Sequence, residues 1–73
     1  MPVITLGDGQ GIAIKPSITY EQLRGLCFEN LAAPTGVTKG TGNPPAWIEF
    51  DGSVTETGTK LSIKQSNIVT VQP

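Results

Sequence analysis

Between Ala33 and Ala46 the chain reads APTGVTKGTGNPPA, a run that holds three glycines, three prolines and three threonines. No other stretch limits the possible folds so strongly. Proline removes a backbone donor, and glycine loses the most conformational freedom on folding, so a helix or a central strand is disfavoured here. Fixing each residue costs about 1–2 kcal/mol of backbone entropy. Val37 is the only large apolar side chain in the run that offsets this cost. Structureless connections of such length are uncommon in small domains and usually either functional or disordered. Pro44-Pro45 favours an extended, polyproline-like path. Residues 33–46 are therefore expected to form an extended arm or loop that something outside the chain orders.

The remainder offers few internal staples. A chain of 73 residues is one small domain, 1–73, and domains of this size bury only about 60% of their unfolded surface. Cys27 is the single cysteine and there is no histidine, which closes the intrachain disulfide and the structural zinc site. No cofactor or metal is expected. Association with another chain, a partner protein or a second copy of this one, is the remaining route to added stability.

Charge narrows the partner. Lys15, Arg24, Lys39, Lys60 and Lys64 are scattered, and six acidic residues leave a net charge of −1. Nucleic-acid binders carry clustered basic stripes, so nucleic acid is not the expected partner. The charged fraction, 15%, lies well below the usual ~25% and suits a surface that another surface covers. The opening MPVITLGDGQ lacks the basic and then apolar pattern of a secretory signal. No apolar run approaches the roughly 20 residues of a membrane span, so a membrane is not expected either. A reducing compartment, the cytoplasm, is the expected place of synthesis.

The local patterns read mainly β, with one short helix. VITL and IAIK flank Asp8-Gly9, a hairpin turn signal. The GxGxG cluster there would make a phosphate cradle only before a helix, and a β-prone run with Pro16 follows instead. In SITYEQLRGLCFENLAA, Thr19 and Gln22 form a capping box, and Ile18 with Leu23 a hydrophobic staple. Leu23, Leu26, Cys27 and Leu31 make an apolar stripe. Gly25 weakens that helix by about 1 kcal/mol and Pro34 ends its reach. AWIEFD alternates, with Ala46, Ile48 and Phe50 on one face and Trp47, Glu49 and Asp51 on the other. Asp51-Gly52 marks a turn, KLSIKQ a second alternating strand and IVTVQ a last one. The expected fold is a small β-hairpin or meander body with one helix and a Gly/Pro/Thr-rich arm.

No catalytic set emerges. Without histidine, Ser-His-Asp and Cys-His chemistry is excluded. Glu49 and Asp51 share a strand face about 7 Å apart, a spacing seen in glycosidase pairs but also on solvated edge strands. Cys27 sits on the apolar stripe as a structural thiol. Trp47 either closes the core from the far side or anchors into a partner, as tryptophan does at interface hot spots. Stacking on bases would require neighbouring aromatics and positive charge, and only Lys39 is near. Pro44, Pro45, Trp47 and Ile48 are the expected partner-contact residues.

Low charge, many threonines and glycines, short β runs, an extended arm and no catalytic set give the whole chain a resemblance to small tailed-bacteriophage virion proteins of the capsid cement or decoration type. The resemblance is one of style over the whole length and carries no motif. It implies a non-enzymatic structural protein located in the virion, bound in many copies to neighbouring capsid subunits and possessing a β-rich body. The alternatives are a small β-barrel module for nucleic acid or peptide, favoured if Lys15, Lys60 and Lys64 gather on one face, and a tail or connector component.

Overall fold

The computed structural model describes residues 1–73 and is mainly β with one short helix. The order is β1 (Val3–Leu6), β2 (Gly11–Ala13), α1 (Tyr20–Phe28), β3 (Val37–Lys39), β4 (Trp47–Phe50), β5 (Leu61–Lys64), a 3-10 turn (Gln65–Asn67) and β6 (Ile68–Gln72). The strands make two three-stranded antiparallel sheets, β2-β1-β6 and β3-β4-β5.

The first sheet starts as the hairpin that Asp8-Gly9 encodes. Gly9 takes a positive φ of 88°, its N–H donates to Leu6 O, and Asp8 Oδ1 accepts from Gln10 N–H at 2.9 Å. Ile4 faces Ile12 across this pair, and on its other side it faces Val71 of β6. The C-terminal strand thus returns to the N-terminal one, a pairing that no local pattern announces. The second sheet is a meander of consecutive strands, with Ile48 opposite Ile63 and Phe50 opposite Leu61.

Helix α1 begins as its capping box dictates. Thr19 Oγ1 accepts from Gln22 N–H at 3.1 Å, and Gln22 Oε1 accepts from Thr19 N–H at 2.9 Å. Ile18 and Leu23, the staple pair, are both buried. One core cluster joins Ile4, Ile14, Leu23, Leu26, Ile48, Phe50 and Ile63, so both sheets and the helix share an interior.

Over 33–46, expected as an extended arm or loop, the chain forms one short strand, β3, and then a turn. Residues 37–39 pair with β4, Val37 opposite Phe50 and Lys39 opposite Ile48. Gly36 O accepts from Asp51 N–H at 2.8 Å, and Gly40 N–H donates to Trp47 O at 2.9 Å. Gly36 holds φ at 89°, and a Cβ there would lie 2.7 Å from Val54 Cγ1, so glycine is required on both counts. Lys39 Nζ reaches back to Asn30 Oδ1 at 3.0 Å and Leu31 O at 2.7 Å. Ala33 and Val37 pack against the core. The polyproline path is also replaced: residues 42–45 turn, Ala46 N–H donates to Thr41 O, and the Asn43–Pro44 peptide is cis. Strand hydrogen bonds to β4 order residues 37–39 and add to the little apolar surface that this segment buries. The radius of gyration, 10.7 Å, is close to the ~11 Å expected of a compact chain of this length.

Candidate functional site

Two surface features stand out. The first is built around Trp47. It lies on the outer face of the second sheet, opposite Lys64, and remains 41% exposed. Its indole lies against Gly40, where an added Cβ would come within 2.5 Å of Nε1 and 2.7 Å of Cδ1. Glycine therefore gives the ring its seat. Pro44 is exposed on the adjoining turn, whereas Pro45 is fully buried beneath it. Ile48 has no exposed surface and packs in the shared core. Of the four expected contact residues, only Trp47 and Pro44 are open to a partner. Strand alternation already placed Ile48 on the core face, which is the physical reason it is unavailable.

The second feature is a cleft of about 240 Å³ between β2 and the 55–61 segment. Leu6 N–H donates to Gln10 O and Ile14 N–H to Pro2 O, so the even-numbered residues direct their backbone groups to β1. Alternation turns the backbone groups of Gly11 and Ala13 to the opposite side. There the chain itself supplies a partial third partner. Thr55 bridges Ile14, Lys15 N–H donates to Val54 O at 2.8 Å, and Glu56 N–H to Ala13 O at 3.0 Å. Past Glu56 the chain turns away, with Gly58 N–H bonded to Thr55 O and Thr55 Oγ1 to Thr59 O. Ala13 N–H and both backbone groups of Gly11 are left without a backbone partner along the cleft. Thr55, Thr57, Thr59 and Leu61 form the opposite wall, and no lining residue is charged. The sequence gives no local sign of this cleft, because its two walls lie some forty residues apart.

The titratable groups are engaged separately. Glu49 meets Lys60 at 3.5 Å, while Asp51 Oδ2 accepts from Ser53 N–H at 3.0 Å. Hydrogen bonds from the Ser53 hydroxyl, and then from its amide, hold the Asp51 carboxyl below the ordinary aspartate range. A general acid requires the opposite shift. Burial pushes the Cys27 thiol up to about 12, which suits packing rather than nucleophilic attack. Lys60 is tied to Glu49 and Lys64 stands opposite Trp47, on the outer face of β5. No group of three or more cysteine and acidic side chains lies close enough to hold a metal ion, and no helix is long and apolar enough to cross a membrane. No family model matches the chain, and no curated protein or solved structure matches it.

Proposed function

We propose that the chain is a non-enzymatic structural protein of a virion, made in the host cytoplasm and bound in many copies to neighbouring capsid subunits as a cement or decoration protein. The observation that carries this reading is Trp47: a large aromatic, exposed on a sheet face and already seated on Gly40. An interface anchor that is ordered before binding loses little side-chain freedom when it docks. Pro44 beside it is similarly stiff. Trp47 and Pro44 enter a pocket on the capsid surface, while Pro45 and Ile48 fix their height from below. Each contact is modest, and many copies on one shell act together through multivalency. The low charge and the threonine- and glycine-rich surface agree with the resemblance to virion proteins.

Quantitative mass spectrometry of particles from the virus that encodes the chain tests the proposal. A fixed stoichiometric ratio to the major capsid subunit is expected. A few copies per particle would assign it to a connector or tail, and absence from particles would overturn the virion reading. On decorated shells, Trp47→Ala should lower occupancy or resistance to heat and low ionic strength, since hot-spot truncations cost about 2 kcal/mol or more.

A further inference from the structure

We propose that the cleft along the free side of β2 receives an extended, uncharged segment of a partner protein, which lengthens the first sheet by pairing with Gly11 and Ala13. The proposal rests on the reading of the chain as a protein-binding component and names a second contact surface, separate from Trp47.

Three observations identify the occupant. The first is the pattern of free groups. Gly11 offers an N–H and a C=O, and Ala13 an N–H, all on the same side of one strand. That donor and acceptor spacing fits another backbone in extended form, the recognition mode of strand addition. Secondly, the chain's own residues 54–56 occupy the adjoining stretch of this edge in antiparallel register, through the Ile14–Thr55 bridge. They show that the edge accepts a strand and mark the line it takes. The third is wall chemistry. Thr55, Thr57, Thr59 and Leu61 line the side opposite β2 with no charge among them, so charged side chains on the incoming segment would find no partner there. Thr55 Oγ1, bonded to Thr59 O, keeps the far wall in place. Two of the other edges differ, since β3 carries Lys39 and β5 carries Lys64 and an edge lysine discourages strand pairing, while β6, equally uncharged, runs beside helix α1.

The test uses the full chain, labelled for amide NMR, and a blocked short peptide of alternating valine and threonine. On titration, the Gly11 and Ala13 amides should shift and gain protection from hydrogen exchange. The same peptide N-methylated at alternate residues should bind at least about tenfold more weakly, because it cannot pair with β2. Ala13→Pro removes one edge donor without touching a β1–β2 bond, and proline is tolerated on an edge whose N–H points outward. It should keep the native spectrum and lose peptide binding by a similar factor. If Ala13→Pro fails to fold, the N-methylated peptide decides on the unmodified chain.

Absence of binding, or equal binding of the N-methylated peptide, overturns the proposal. So do shifts limited to the Thr57 and Thr59 side chains, which would mark a small polar ligand site. Protection of Gly11 and Ala13 that rises with chain concentration in the absence of peptide would assign the edge to a second copy and overturn the partner assignment. The virion reading fails separately. A chain that decorates shells equally well with Ala13→Pro loses this site and keeps the cement role. One that binds the peptide but is absent from particles keeps the site and loses the role.

Discussion

The two sheets are equal in strand number and opposite in character. The first, β2-β1-β6, joins the two ends of the chain, and none of its strand residues is charged. The second, β3-β4-β5, is a meander of neighbours, and each of its strands carries one charge, Lys39, Glu49 or Lys64. Pairing distant segments costs more loop-closure entropy than pairing adjacent ones. The first sheet meets that cost with a nearly continuous apolar inner face, Ile4, Leu6, Ile12, Ile14, Ile68 and Val71, backed by helix α1. The second invests its outer face in Trp47 and its edges in lysines. One sheet thus leaves backbone groups of an uncharged edge free, and the other exposes a large side chain.

The largest expected effect asks whether the sheets are separable at all. Ile4 sits on the central strand of the first sheet with no exposed surface. Ile4→Ala should cost about 2–5 kcal/mol through lost burial and the cavity left behind. That is a large part of the roughly 4–11 kcal/mol expected of a domain this size. Because the core is continuous, Trp47 fluorescence in the second sheet should lose its native signal at the same lowered denaturant midpoint as the circular dichroism. Retention of the original midpoint by Trp47 would mean two independent units.

What was legible in the sequence follows the same division. Asp8-Gly9, the Thr19–Gln22 capping box, the alternation in β4 and β5, and the Asp51-Gly52 turn are all local, and each formed as read. The β1–β6 pairing is not local, and nothing in IVTVQ identifies its partner. Strand β3 was hidden because three residues between glycines carry too little pattern, and their order comes from β4. Trp47 was correctly turned outward by alternation, and the same alternation buries Ile48. The burial of Pro45 depends on how the 42–45 turn closes, which composition cannot show.

A second experiment sharpens the role of the helix under the first sheet. Burial raises the Cys27 thiol from 9.0 to about 12, so the folded state holds this proton more tightly than the unfolded one. Its stabilising contribution is complete below pH 9 and is lost as pH rises toward 12. The loss should reach about 1.4 kcal/mol by pH 10. Urea midpoints of the native chain should therefore fall more steeply between pH 8 and 10 than those of Cys27→Ala. Equal slopes would show that water reaches the thiol and that the helix does not seal this side of the core.

Thr19→Ala should cost about 1 kcal/mol by removing the cap, and Thr19→Ser should recover most of it. The Gln22 amide, which donates to Thr19 Oγ1, should exchange faster with solvent. Amides of β3, β4 and β5 should keep their protection at low denaturant, since fraying of the first helical turn is a local opening. Equal loss in the second sheet would mean that α1 holds both sheets together, and that their difference lies only in sequence.

The smallest effect on stability bears most directly on the edges. Lys64 is exposed on β5, and residues 62 and 64 direct their backbone groups away from β4, because Gln65 N–H donates to Ala46 O and alternation fixes the rest. Lys64→Thr removes the charge while preserving a good strand former. It should change unfolding free energy by no more than about 0.5 kcal/mol, as exposed substitutions do. Its consequence should appear between molecules instead. An unguarded, uncharged edge is a template for another strand, so sedimentation velocity should show concentration-dependent association for Lys64→Thr under conditions where the native chain sediments as one species. If the substituted chain sediments unchanged, lysine is not what keeps β5 unpaired. The contrast with the uncharged edge of β2 would then lie in strand geometry, in the way residues 54–56 already line one end of that edge, rather than in charge.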